Sequence, residues 1–404
     1  MSKERVANIS DKIIEYSLYG LIFYIPISIA LVEIFTSLVV LVFIVKKITQ
    51  PDFSFIKKNK FIYFFLGLFV LFMGLSLFNS GPYLTKSLRV IFSKWLAYIL
   101  VFTAAADTLG TRKQIRNALV VLSFSAALAV LSGLMQYFFG FEFLRGRELA
   151  GEAITSAFKN PNNFAAYLSL LIPIVIGLSL LKFKNKIYKI GVMLLLALSI
   201  TTLLFTFSRG GWLGFLAGAS LLMVLLRKYR VGLVAIGGFI AFLSFLPQLQ
   251  ERFLCTFSAF GDANRFTIWQ GAWGMIKENP ILGKGLGTFM DYSLQYTEGF
   301  GIYYAHNCYL QIWAETGIFS LLSFLIFSGL LLYLAIKSTK KDITSNLSIL
   351  SIGISCGIFG FLVHSFFDTQ LYSVQLQAFF WLMAGILFAV VNLTRARNNK
   401  NDTK

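Results

Sequence analysis

Read from end to end, the chain is a succession of apolar runs separated by short polar stretches, each run close to the ~20 residues an α-helix needs to cross a bilayer. The pattern predicts twelve spans, at about 13–29, 30–46, 61–79, 88–106, 116–139, 162–181, 189–207, 210–226, 231–247, 308–336, 344–366 and 373–393. The first two form one stretch from Ile13 to Val45, with Pro26 and nearby Glu33 marking a tight turn between them. No small-residue cleavage site follows the first run, so it reads as a retained helix rather than a signal peptide. The expected fold is an all-α integral membrane protein, one polytopic domain over residues 1–404.

Composition agrees with that pattern. The chain is 57% hydrophobic and 13% charged, against about 25% charged in soluble domains. The net charge of +18 could suggest a nucleic-acid partner, but the cations sit in short clusters between apolar runs, which is what membrane orientation requires. With the N-terminus inside, 25 of the 36 Lys and Arg fall in inner segments and nine in outer ones, alternating without a break. Arg89 and Lys94 remain within the fourth span. Both termini are therefore expected in the cytoplasm. Three cysteines are too few for a disulfide framework and lack metal-ligand spacing, although Cys255 and Cys308 would both lie outside the membrane on its outer side and could pair.

Two outer stretches are long, about 140–161 and 248–307, and function is sought there. The first carries Arg145 and Arg147. Arg209 heads the eighth span in Phe207-Ser208-Arg209-Gly210-Gly211-Trp212-Leu213, and Arg265 lies in the second long loop. Guanidinium forks suit a pyrophosphate ligand. The alternative for Arg145, Arg147 and Arg252 is pairing with loop carboxylates such as Glu142 or with lipid headgroups; Arg209 has no acid near it in sequence. Residues 263–278 predict an amphipathic helix with Phe266, Trp269, Trp273 and Ile276 on one face, suited to the membrane interface. Arg265 then falls in its first turn, where free N–H groups favour an anion. After Asn279-Pro280, the run Gly283-Lys284-Gly285-Leu286-Gly287 lacks the spacing and context of a nucleotide-binding loop and reads as a flexible return to the membrane.

Both histidines fall at outer membrane edges. A neutral imidazole is the ordinary choice for taking a proton from a hydroxyl near neutral pH. His306 closes the arginine-bearing loop and is the candidate base. His364, one turn before Asp368, has a structural hydrogen bond to that acid as its simpler reading. Glu315, inside the tenth span, needs a partner, and Arg89 or Lys94 of the fourth span are the candidates.

At these residues the chain resembles the O-antigen ligase/polymerase family, a GT-C-like branch of multi-span glycosyltransferases. Lys159-Asn160-Pro161-Asn162-Asn163 resembles the family's Asn-Pro-Asn stretch entering a span, and Arg209-Gly210-Gly211-Trp212-Leu213 fits its Arg-x3-Leu motif. Arg265 through Trp269, then Asn279-Pro280 and the glycines, matches its long extracytoplasmic loop. His306-Asn307, nine residues, then Gly317 fits the ligase-type motif; Leu321 departs from it, standing where ligases prefer Gly, Thr or Tyr. The first half matches only in hydropathy.

The resemblance implies a bacterial inner-membrane enzyme working on the periplasmic face. It would need no nucleotide sugar, metal or cofactor. The donor would be a glycan on undecaprenyl pyrophosphate. The acceptor would be a sugar of the lipid A core for a ligase, or a second carrier-linked glycan for a polymerase. Arg209 and Arg265 would hold the pyrophosphate and His306 would act on the acceptor hydroxyl. Around them, Arg145, Arg147, Asn307, Arg89, Lys284 and His364 are candidate substrate contacts. A transporter would need ionisable residues near the midplane of several spans and repeated halves; here buried charges are few and no internal repeat is visible. A scaffold gives no reason for arginines and a histidine to gather on one face.

Overall fold

The structure is a computed structural model, and it describes residues 3–228, 237, 263–296 and 304–402. The described residues are helical, with one isolated bridge between Phe141 and Glu148. The main helices are α1 (Lys3–Tyr24), α2 (Ile29–Thr49), α3 (Lys60–Asn79), α4 (Gly81–Thr108) and α5 (Arg112–Phe139). After the first long loop come α6 (Pro161–Ser179), α7 (Lys186–Phe205) and α8 (Arg209–Leu225). Then follow α9 (Ala263–Glu278), α10 (Cys308–Thr316), α11 (Ile318–Thr339), α12 (Asn346–His364) and α13 (Val374–Asp402).

Nine of these helices are long and apolar enough to cross a membrane, α2 to α7 and α11 to α13, among the described residues. α8, at 17 residues, is a shorter apolar helix, and the first expected span overlaps the end of the more polar α1. The expected ninth span, 231–247, and Cys255 lie outside the described residues. The protein is a multi-helix membrane protein whose centre is α13: 94% of its apolar window is buried, against 22% for α2. Lys46 and Lys47, expected on the inner side, are tied to Asp107 at 2.7 and 2.9 Å, and Lys46 also to Asp11 at 2.6 Å.

One expected element is corrected. The tenth span, read as a single helix over 308–336, is broken at Gly317 into α10 and α11. Gly317 has φ +83°, and a Cβ there would stand 1.8 Å from the Ile281 carbonyl oxygen. Periodicity alone does not register such a contact, because Ile281 lies 36 residues earlier in the chain.

Close helix packing fixes the geometry of the site. α8 lies directly against α12: a Cβ on Gly214 would meet the Gly360 carbonyl oxygen at 2.6 Å, and one on Gly218 that of Cys356 at 2.6 Å. In lipid, where apolar side chains gain little by leaving their surroundings, such small-residue contacts carry the association. The contact sets the head of α8, with Arg209, beside the end of α12, with His364.

Candidate active site

Three motif segments meet at the turn following α12. At the head of α8, Ser208 is the N-cap, accepting from the Gly211 N–H, and its hydroxyl donates to Asn162 Oδ1 at 2.8 Å. Asn162 follows Pro161 at the start of α6, where Asn160 caps the helix by accepting from the Asn163 N–H at 2.8 Å. The Asn-Pro-Asn and Arg-x3-Leu segments are thus hydrogen-bonded to each other. Gly210 lies on His364: a Cβ there would be 2.8 Å from its Cδ2 and 3.0 Å from Nε2. Arg265, on the first turn of α9, is within electrostatic reach of the same imidazole.

His306 reaches this turn from the other side. Its Nδ1 is 3.0 Å from Asp368 Oδ1. Asp368 also accepts from the Thr369 N–H at 2.8 Å and is only 11% exposed at its side chain, whereas His306 keeps 33%. Burial works against the charge on Asp368, but the hydrogen bond and charge of His306 outweigh it and hold the carboxyl below the usual range. The expected His364–Asp368 bond is not the one formed. His364 Nε2 instead faces the Gln370 amide at 3.3 Å, and the acid belongs to His306. One turn of helical spacing suggested a partnership that the chain's reversal after Ser365 redirects.

The backbone that carries His306 is firmly held. Asn307 caps α10, its Oδ1 accepting from the Tyr309 and Leu310 N–H groups at 3.0 and 3.1 Å. The Cys308 N–H donates to the Ser365 carbonyl at 2.8 Å, and the buried Cys308 thiol accepts from the Leu371 N–H at 3.3 Å. Trp269 of α9 donates to the Ala305 carbonyl at 3.0 Å. His306 itself has φ +47°. Positive φ at a non-glycine residue costs of order 1–3 kcal/mol and persists only when its surroundings impose it. Ser156 (φ +48°) and Phe207 (φ +49°) stand in the same unusual region just ahead of the Asn-Pro-Asn and Arg-x3-Leu segments.

The other candidates are placed as follows. In the first long loop, buried Glu142 accepts from the Ser132 hydroxyl at 2.8 Å and from the N–H groups of Leu144, Arg145 and Arg147 at 2.7, 2.9 and 3.3 Å. Arg145 donates to the Ala157 carbonyl at 3.5 Å and Arg147 to that of Phe158, so both guanidinium groups brace the segment leading into α6. Lys284 pairs with Glu278 and lies 5.4 Å from the centroid of the Tyr292 ring. Arg89 is exposed on the first half of α4.

The buried face of α9 is Ile268, Ala272, Met275 and Ile276, packed on Phe289, Ala305 and Ala314, whereas Phe266 and Trp273 are exposed. One expectation, about the glycine run, is revised. The run is anchored rather than flexible: Lys284 and Gly285 donate their N–H groups to the Ala314 and Glu315 carbonyls, each at 2.9 Å. Glu315, buried, accepts from the Gly287 and Phe289 N–H groups and from Gln311 and Tyr372. Its expected partners Arg89 and Lys94 are not among these.

Helices of this length and composition, with this polar turn where they meet, define a multi-span membrane protein with a His–Asp pair flanked by two arginine-bearing helix starts. Comparison with known proteins shows what this chain is similar to. Residues 194–325, a stretch containing Arg209, Arg265 and His306, match the family model described as O-Antigen ligase. The likeness read from the motifs of the second half is thereby shown over this stretch, which carries an O-antigen ligase domain match. It is 25% identical over 260 residues to "Teichuronic acid biosynthesis protein TuaE" of Bacillus subtilis, covering 60% of this chain and 52% of that protein. It is 29% identical over 182 residues to "O-antigen ligase" of Salmonella typhimurium, covering 40% of this chain and 44% of that one. The chain spans about half the length of the curated relatives it matches.

Proposed function

We propose that this protein is a lipid-linked glycan transferase of the O-antigen ligase/polymerase type, acting at the extracytoplasmic face of a bacterial inner membrane. The observation that carries the reading is the His306–Asp368 pair. Nδ1–H donated to a buried carboxylate fixes the tautomer and leaves Nε2 as the acceptor nitrogen. In this reading Nε2 takes the proton of the acceptor hydroxyl as its oxygen bonds to the anomeric carbon of the donor sugar. The bond from that carbon to undecaprenyl pyrophosphate breaks, and the leaving group departs with the electron pair. Arg209 and Arg265 offset its charge as it develops, which is where fixed cations lower a barrier. No nucleotide sugar takes part in this scheme.

The ligase reading, with a lipid A-core sugar as acceptor, rests on the His306-Asn307-x9-Gly317 motif. The polymerase reading, with a second carrier-linked glycan as acceptor, is favoured by Leu321. Both share the donor and the residues above. The test is reconstitution in vesicles with glycan-loaded undecaprenyl pyrophosphate, offered either a lipid A core or a second donor molecule. Glycan on lipid A identifies the ligase, and a lengthened carrier-linked glycan the polymerase. Neither product from folded protein overturns the proposal.

A further inference from the structure

We propose that Glu315 is a positioning residue for His306, acting through Gln311 and the backbone of Ala305; this rests on the role given to His306 above. The break at Gly317 ends α10 after nine residues and sets Glu315 in the protein interior, 1% exposed. A buried carboxylate is tolerated when its lone pairs are filled. Here four donors fill them: the Gly287 N–H at 2.8 Å, the Phe289 N–H at 3.2 Å, the Gln311 amide at 3.1 Å and the Tyr372 hydroxyl at 3.0 Å.

These donors belong to segments that carry the site. Gln311, held by Glu315 at its nitrogen, accepts the Ala305 N–H at its oxygen at 3.1 Å. Trp269, one turn after Arg265, takes the Ala305 carbonyl. Both polar groups of the residue before His306 are thus fixed, one through Glu315 and one through the helix bearing Arg265. Tyr372 stands four residues after Asp368 in the same short connection between α12 and α13. Through the Gln311 and Tyr372 side chains Glu315 therefore ties to the segments on each side of the His306–Asp368 bond, while His306 is kept at a φ it would not adopt unaided. A role confined to fastening the glycine return would require only the Gly287 and Phe289 contacts.

The test compares Glu315→Ala, Asp368→Ala, the double variant, Gln311→Met and His306→Ala in vesicles holding glycan-loaded undecaprenyl pyrophosphate and the acceptor that the wild type uses. Positioning predicts that Glu315→Ala lowers kcat about 10- to 100-fold, the scale set by ångström misplacement of a reacting group. KM for the donor stays within about twofold, and the double variant is no slower than Asp368→Ala alone. Gln311→Met, which cuts the link to Ala305 and leaves the carboxylate in place, shows the same kcat loss and gives the answer if Glu315→Ala does not fold. Losses that multiply in the double variant, or a full rate in folded Glu315→Ala or Gln311→Met with His306→Ala inactive, overturn the positioning role. An active His306→Ala overturns the function on which it rests.

Discussion

His306 Nδ1 stands 3.0 Å from Asp368 Oδ1, joining residues 62 positions apart across the start of α10 and the turn after α12. The pair gives His306 an orientation and a defined tautomer. Replacing Asp368 with Asn keeps the shape but leaves an amide that can face the ring with either its donor or its acceptor end. Asp368→Asn is expected to lower the transfer rate by about 10²-fold or more, the range general-base catalysis contributes, with protein level unchanged. Steady-state rates in reconstituted vesicles check it; a loss below about threefold would make the pair incidental.

The same bond has a pH signature in stability. The Asp368 carboxyl is held below its ordinary value of about 3.9. A group with a depressed folded pKa contributes stability that is fully present above the unfolded value and is lost as pH falls through the folded one. The Tm difference between wild type and Asp368→Asn is expected to be present at about pH 5 and to shrink below about pH 4. Thermal unfolding in detergent from about pH 5 downward measures it, and a gap that widens below about pH 4 would reverse the assigned sign.

Gly210 and Gly214 separate site geometry from helix packing. A Cβ on Gly214 meets a backbone oxygen of α12 at 2.6 Å, and neither helix can retreat cheaply. Gly214→Ala should cost about 1–3 kcal/mol in stability, as overpacking does. A Cβ on Gly210 meets the His364 ring and, at 3.0 Å, Cβ of Phe367, which adjoins Asp368. Gly210→Ala should therefore push on the turn holding the acid and lower the rate about tenfold or more, out of proportion to its Tm change. Tm and rate measured together on both variants decide this.

Arg209 offers a test of fork geometry against charge. Arg209→Lys keeps the cation but not the planar pair of donors, and should lose at least about tenfold in rate, nearly as much as Arg209→Ala. If Lys restores the wild-type rate, charge alone is what the position supplies.

Much of this was legible in the sequence. Apolar run length gave most of the long apolar helices among the described residues, and rare polar residues among them made Arg209, Arg265 and His306 the candidates. What escaped was set by contacts distant in the chain. Asp368 was visible as an acid near His364, but the reversal that hands it to His306 depends on Cys308 bonding to Ser365. The break at Gly317 depends on Ile281, 36 residues earlier. Glu315 looked like half of a membrane ion pair because spacing along one helix cannot show a returning loop that offers two backbone N–H groups. Arg145 and Arg147 looked available for a ligand, and their links to the Ala157 and Phe158 carbonyls became apparent only with the loop folded.

The central claim is that His306 accepts the proton of the attacking hydroxyl. Purified protein in vesicles with glycan-loaded undecaprenyl pyrophosphate and its acceptor should release undecaprenyl pyrophosphate and transferred glycan in equal amounts. His306→Ala should bind the donor as tightly as wild type and release neither. Turnover by His306→Ala at the wild-type rate would contradict the account.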